Sequence, residues 1–295
     1  MKIAIMLALH NNPKQANIFM KQCIQNEGCH VFVHIDKKGL DIKSELIAHG
    51  RIHILPKSYS VRWGDYSQIE YVIELMKYAN DFGEFDYYSI HSGNDLMVRP
   101  FCELSDFLKT DNKYAYLDCE SLPWSEWQYG GGLGRLALPW PRWMRSRLKP
   151  NSVQRYLRSL YGHLYGWHLI PGKKLPAEIP FWGKAAWYTL RSDCVEKCLD
   201  YICMHPEFLD LFRESLCGDE IFFNTLVNMT AEDEVVERHN NLRYVDMRTV
   251  DKKVVGAPKT LTMSDVEKIR KSGAFWARKF DAQVDEEAVY HFSTM

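Results

Sequence analysis

Residues Ile3 to Leu9 are apolar without interruption. A strand with one wet face alternates apolar and polar side chains, so an unbroken run of this length fits a strand covered on both sides, as in a parallel sheet. Asn11-Asn12-Pro13 then supplies a turn and a helix start. The same alternation continues: a helix over Gln15 to Cys23, a strand from His30 to Ile35 closing at Asp36, and a strand over Ile52 to Leu55. Tyr66 to Tyr78 carries Ile69, Val72, Ile73 and Met76 at helical spacing, and Asp86 to Ile90 reads as a fourth strand. Strand and helix in turn predict an α/β fold with a mainly parallel sheet flanked by helices.

Ligands of such sheets gather at the carboxyl ends of the strands. Three of those ends are polar here: His10-Asn11-Asn12, His34-Ile35-Asp36 and Ser92-Gly93-Asn94-Asp95. The 295 residues suffice for one large hydrophobic core, and no repeat or linker divides them. One globular unit over 1–295 is expected, with a nucleotide-binding half over about 1–110 and an acceptor-binding, catalytic half over about 111–295. The opening apolar run is short, lacks a small-residue cleavage site and reads as a buried strand, not a leader. No run approaches the length of a membrane span. The eight cysteines form no C-x-x-C pair, and Cys194, Cys198 and Cys203 fall in a helical stretch. Reduced thiols and a cytoplasmic chain, peripheral to the inner face of a membrane in one reading, are the simpler expectation.

The middle of the chain departs from this pattern. From Trp127 to Ala177 there is no Asp or Glu, against nine Lys and Arg, including Arg135, Arg145 and Arg158. In a chain of net charge -1 that is a local asymmetry. Tyr156, Leu157, Leu160, Tyr161 and Leu164 mark one face of a helix there. Three readings stay open: a solvated helical insert, a lid over an acceptor, and a docking face for an anionic membrane surface. Near-neutral overall charge and the lack of a reader motif exclude nucleic acid as a partner. Beyond the insert, helices are expected over Cys194 to Met204, Glu207 to Leu216, Asp219 to Asn228 and Asp265 to Lys271, with a strand from Arg243 to Asp246.

Several segments, in order, resemble the Core-2/I-branching β-1,6-N-acetylglucosaminyltransferase family, which includes the protein xylosyltransferases (glycosyltransferase family 14). They are Val33 to Asp36; Val61-Arg62-Trp63-Gly64-Asp65-Tyr66-Ser67-Gln68; Ser92 to Leu96; Trp182-Gly183-Lys184 through Trp187; Gly218-Asp219-Glu220 with Phe222, Phe223 and Thr225; and Pro258 to Thr262 leading to Phe275 through Asp281. The resemblance implies a GT-A-type fold and inverting transfer from a UDP-sugar, GlcNAc being the first donor to try, onto a hydroxyl of a glycan or lipid-linked saccharide, with no bound metal or other cofactor. It implies Glu220 as general base and Lys279 as a diphosphate ligand, with Arg278 beside it. A second basic ligand upstream matches poorly: Gly256 falls near its place, and Lys253 or Lys259 could substitute. Met247 stands where many relatives carry an acceptor-contacting Trp, and Met97 where Pro is usual.

The chemistry has its own logic. Inverting transfer needs a carboxylate to take the acceptor proton and positive charge to meet the growing negative charge on the diphosphate. Metal-dependent sugar transferases hold that charge through Asp-x-Asp, which is absent here; Asp118-Cys119-Glu120 is the nearest approach and the basis of a metal-dependent alternative. Arg278-Lys279, set among Phe275, Trp276 and Phe280, offers fixed cations instead. Asp36 would accept bonds from uracil or ribose, Trp63 would stack on the base, and His10 and Asp95, at the same strand ends, are the other nucleotide-binding candidates. Trp187, Asp219 and Met247 are the acceptor-side candidates. Each has a plainer reading: dipole-complementing acids for Asp219 and Glu220, turn caps for Asp36 and Asp95, core packing for Trp63, His10 and His34. A binding protein without turnover is the remaining alternative.

Overall fold

A computed structural model describes residues 1–250 and 253–293, apart from the side chains of 248–250 and 253–257. In chain order the elements are β1 (Ile3–Leu9), α1 (Pro13–Ile24), β2 (Cys29–Ile35), β3 (Ile52–Ile54), α2 (Ser67–Phe82), β4 (Tyr87–Ser92), β5 (Asp95–Met97), α3 (Phe101–Asp111), β6 (Ala115–Tyr116) and β7 (Cys119–Ser121). The insert follows, with two single turns, α4 (Gln128–Gly131) and α5 (Gly134–Ala137), and one real helix, α6 (Val153–Gly166). Then come β8 (Trp182–Lys184), β9 (Thr189–Arg191), α7 (Ser192–Met204), α8 (Pro206–Asp210), α9 (Asp219–Thr230), β10 (Val236–Glu237), β11 (Arg243–Val245), β12 (Met247–Val250), β13 (Lys253–Pro258), α10 (Val266–Ser272), β14 (Trp276–Arg278) and α11 (Glu286–Ser293).

The main sheet runs β10-β6-β9-β4-β1-β2-β3. It is mainly parallel, as the apolar run of β1 predicts; β9 alone opposes its neighbours β4 and β6. Ile3 to Leu7 and Leu9 are at most 2% exposed, because both faces are covered. One face packs on α2, α7 and α9 through Met6, Phe32, Ile69, Met76, Leu190 and Phe222. The other packs on α1 and the C-terminal elements through Ile5, Val33, Phe19, Leu261 and Trp276. A small second sheet, β11-β14-β5, sets Arg278 directly opposite Asp95.

Among the described residues no helix is long and apolar enough to cross a membrane. Cys23, Cys29, Cys119, Cys194, Cys198 and Cys217 are buried, and no cysteine is bonded to another. The helix expected over Glu207 to Leu216 stops at Asp210. Its backbone is claimed by the insert instead: Trp140 N donates to Glu214 O at 3.2 Å, and Leu216 N to Arg135 O at 3.0 Å. Lys173 Nζ donates to Leu211 O at 2.8 Å and Arg145 to the Arg213 carbonyl. A helix continued to Leu216 would have used the Leu211 carbonyl and the Leu216 N–H internally.

Candidate active site

The helix α9 begins where three segments meet. Gly218 precedes it in a tight place: a Cβ there would lie 2.1 Å from Ser215 Oγ, which would have to shift. The loop from Val61 to Tyr66 and the first turn of α2, with Gln68, lock onto this turn. Gly64 sits at φ +76°, where an L side chain is strained, and its carbonyl accepts from Cys217 N at 3.0 Å. Gln68 bridges the two pieces, accepting from Gly64 N and donating through Nε2 to Asp219 Oδ2 at 3.0 Å. From the other side, Thr225 Oγ1 accepts from Trp182 N at 3.0 Å and Asn224 Nδ2 donates to Ala185 O at 2.8 Å, fixing the chain that leads to Trp187.

Asp219 and Glu220 therefore stand in the first turn of α9 on fixed neighbours. Glu220 Oε2 accepts from Arg135 Nη1 at 2.5 Å. The Arg135 guanidinium lies 3.7 Å over the Trp127 ring, so the insert supplies both the cation and its platform. Asp219 lines a small cleft with Gln68, Tyr71, Ala186, Trp187 and Phe223. Burial, and next the adjacent Glu220 charge, push the Asp219 carboxyl up to about 7.

The cation side of the cleft is built on Trp187. The Arg278 guanidinium sits 3.7 Å over that ring. Its Nε is 3.6 Å from Asp95 Oδ1, its Nη2 donates to Ser92 Oγ at 3.4 Å, and its buried Nη1 has no hydrogen-bond partner. Arg243 lies 3.4 Å from the other oxygen of Asp95 and 5.0 Å over Trp187, with its own Nη1 unpartnered. Burial alone would raise the Asp95 carboxyl; Arg278 and Arg243 overcome that and hold it well below the usual carboxylate range. His91, 3.2 Å from Asp95, is lowered to about 4 by burial and next by the Arg243 charge. Two buried cations with idle donors thus face one buried anion, an arrangement short of negative charge.

A second, polar and more open cleft lies at the end of β1, lined by Asn11, Asn12, Lys14, Asn94 and Asp281 among others. Asn94 ties it to the Lys279 segment: its Nδ2 donates to Phe280 O at 3.0 Å and its carbonyl accepts from Phe280 N at 2.8 Å. The Lys279 carbonyl accepts from Leu261 N at 2.8 Å.

The expected residues fall into two groups. Asp219, Trp187 and Arg278 converge, with Glu220 next to Asp219. His10 and Asp36 stand at the ends of β1 and β2, as their sequence positions require; His10 is exposed, and Asp36 is 6% exposed and accepts from Lys38 N at 3.0 Å as a helix cap. His34, read as a core histidine or a ligand, is a core one: its Nε2 accepts from Tyr59 N at 3.0 Å, and burial lowers it to about 4. Asp95 needs correction as a direct nucleotide contact. Its side chain is 0% exposed and is enclosed by Arg278, Arg243, His91 and Ser92. Trp63 is 46% exposed, with Arg158 5.8 Å above its ring. Lys259 is engaged by Asp265 at 2.6 Å, inside the capping box of Thr262. Met247 is 40% exposed and pairs with Pro258 at the base of the β12–β13 hairpin. The side chain of Lys253 and the burial of Gly256 lie outside the described part of that hairpin.

Asp118 and Glu120, the candidate metal ligands, already hold a protein cation. Lys184 Nζ is 2.7 Å from Asp118 and 3.9 Å from Glu120, and His239 Nδ1 is 3.7 Å from Glu120. A divalent ion between these carboxylates would have to displace Lys184.

Sequence reasoning gave no role to Arg135, Gln68 or Arg243. Gln68 sits in the quoted Trp63-to-Gln68 segment, and Arg135 in the acid-free stretch, but their partners are 151 and 85 residues away in sequence. Arg243 opens a strand that was legible, yet its burial was not.

The Core-2/I-branching enzyme family model matches residues 6–270. No curated protein matches the chain. Among solved structures, TarS of S. aureus aligns at 11% identity and a TM-score of 0.28 over 40% of this chain, which spans only 21% of TarS. A putative glucose-1-phosphate thymidylyltransferase of Bacillus anthracis aligns at 8% identity and a TM-score of 0.38, covering 80% of this chain and 85% of its own. The 4-diphosphocytidyl-2C-methyl-D-erythritol synthase of Anaerococcus prevotii aligns at 10% identity and 0.40, covering 92% and 97%. Superpositions this loose carry no argument about activity.

Proposed function

The chain belongs to the Core-2/I-branching enzyme family of glycosyltransferases, and from that premise we propose that it is an inverting transferase moving a sugar, GlcNAc first among candidates, from a UDP-sugar to a hydroxyl of a glycan or lipid-linked saccharide. The observation that carries this reading is Trp187: its ring borders the cleft that holds Asp219 and also supports the Arg278 guanidinium at 3.7 Å, bringing acid and cation to one place.

In this mechanism the acceptor oxygen attacks the anomeric carbon from the face opposite UDP. The new C–O bond forms as the bond to the β-phosphate oxygen breaks, with the electron pair leaving on the diphosphate. Glu220 takes the acceptor proton; Lys279 and Arg278 meet the diphosphate charge. The unpartnered Nη1 of Arg278 supports the second role, since a buried donor left unpaired costs free energy that an anion would recover. The polar ends of β1 and β2, with His10, Asp36 and Trp63, are the proposed nucleotide side. Trp187, Asp219 and Met247 are the acceptor side. Protein cations do here what a metal does in Asp-x-Asp enzymes, and Lys184 between Asp118 and Glu120 weighs against the metal-dependent alternative.

Asp219 gives a second reading. It lines the cleft and titrates near neutrality, whereas Glu220 is held by Arg135. A general base works best with a pKa near the operating pH. In that version Asp219 takes the proton and Glu220–Arg135 orients the acceptor. Glu220→Gln and Asp219→Asn separate the two: the substitution that lowers turnover about 100-fold or more with UDP binding nearly unchanged identifies the base. If neither does, both assignments fall.

A further inference from the structure

The insert has two unlike faces. The inner one packs on the site: Tyr161 and Tyr165 lie with Tyr129 in the small core around Trp140, and α6 is buried at Gly162. The outer one is apolar and wet. Val153, Tyr156, Leu157 and Leu160 recur at helical spacing and are 70%, 64%, 48% and 50% exposed; Trp167 and Leu169, just past the helix, are 60% and 67% exposed. A stripe of this kind on a folded chain marks an interaction surface.

Its surroundings decide the partner. Arg155 on α6 and Arg142, Arg147, Lys149 and Lys174 of the same insert are exposed. Arg135, Arg145 and Arg158 are turned inward on Glu220, Asp65 and the Met144 carbonyl, so the outward charge is carried by the first set. No carboxylate occurs between 127 and 177 to offset it. A second copy docked through this face by a two-fold axis would set equal cations against one another. A nucleic acid would leave the leucines unburied. We propose that the outer face of α6 docks on an anionic membrane surface, with the leucines and aromatic rings entering the headgroup boundary and the Lys and Arg side chains meeting lipid phosphates.

Docking is independent of the transfer chemistry. Its corollary, that an acceptor carried on a lipid meets the cleft at the surface, rests on the proposed function. The same insert supplies Arg135 to Glu220, so a docked α6 brings the start of α9 towards the bilayer.

Flotation of the full chain tests this without any turnover. Phosphatidylcholine vesicles are compared with vesicles of phosphatidylcholine and phosphatidylglycerol, at low and high salt. The wild type is expected to float with the anionic vesicles and to be released by salt. Leu157→Glu/Leu160→Glu should lower recovery about tenfold or more, because each leucine loses its burial in lipid. Lys149→Glu/Arg155→Glu should lower it on anionic vesicles alone. All four positions are exposed, so unchanged thermal melting is the control for folding. The proposal is overturned by absence of flotation, by equal recovery with neutral and anionic lipid, or by variants that float like the wild type. It is also overturned if the lipid-free protein is a stable dimer that Leu157→Glu/Leu160→Glu dissociates.

Discussion

Arg135 Nη1 lies 2.5 Å from Glu220 Oε2, joining the insert to the first turn of α9 across 85 residues of sequence. The same guanidinium is stacked on Trp127. The acid at the centre of the proposed reaction is thus oriented by a segment that lies outside the sheet scaffold.

Arg135→Met keeps the apolar stem over Trp127 and removes the charge. Turnover should fall roughly tenfold or more, with donor KM little changed, since the pair orients the carboxylate and does not touch UDP in this scheme. The pair is partly exposed, at 19% and 34%, so the stability loss should stay near 1–2 kcal/mol. Steady-state kinetics and urea unfolding measure both; an equal rise in KM with constant kcat would remove the orienting role.

Asp219 makes stability depend on pH. Its folded value, about 7, is raised above that of an exposed carboxylate. The unfolded chain therefore holds fewer protons than the native one between about pH 4 and pH 7, and stability contributed at low pH is lost as pH rises through 7. For a partly exposed side chain the loss is about 1–2 kcal/mol after solvent screening. Asp219→Asn should abolish this component, seen as a smaller drop in unfolding free energy from pH 5 to pH 8. Identical slopes in the two proteins would show that Asp219 is ionised throughout.

Arg278 and Lys279 should separate by stability. Arg278→Ala leaves the fully buried Asp95 with one cation fewer, and breaking a buried pair typically costs about 3–5 kcal/mol. Lys279→Ala should weaken UDP binding and lower turnover, the latter by about 3 kcal/mol of barrier, with little change in melting temperature. Calorimetric titration with UDP and thermal melting read these effects. Full UDP affinity in Lys279→Ala would end its assignment to the diphosphate.

Activity should survive EDTA if protein cations meet the leaving group. Loss of turnover on chelation, restored by Mn²⁺, would instead favour a metal site, with Asp118 and Glu120 released from Lys184. Thermal-shift screening of UDP-sugars with and without Mn²⁺ gives the same answer through ligand stabilisation.

Gly218→Ala should displace the start of α9, because a Cβ would fall 2.1 Å from Ser215 Oγ, itself bonded to Phe212 O at 2.7 Å. Overpacking of this kind costs about 1–3 kcal/mol. Turnover should fall further than stability alone explains, since Asp219 and Glu220 follow directly. Retained kcat would mean that the turn adjusts without moving the acids.

What the sequence determined by itself was whatever depends on near neighbours along the chain. The apolar run of β1, the turn at Asn11 to Pro13, the helical spacing in α2 and the acids opening α9 are local patterns, and each produced the element expected of it. The polar ends of β1, β2 and β4 followed once those strands were parallel, since adjacency puts their carboxyl ends on one edge. Family membership was legible for a related reason, because the ordered segments carry it. The helix after Glu207 failed because Arg135, Trp140, Arg145 and Lys173 of the insert bond to its backbone groups, which no local pattern records. Only the tertiary structure decided that Arg135 meets Glu220, that Asp95 is sealed beneath Arg278 and Arg243, and that the apolar face of α6 points outward. Burial and charge pairing are fixed by distances in space, and residues far apart in sequence acquire those distances only when the chain packs.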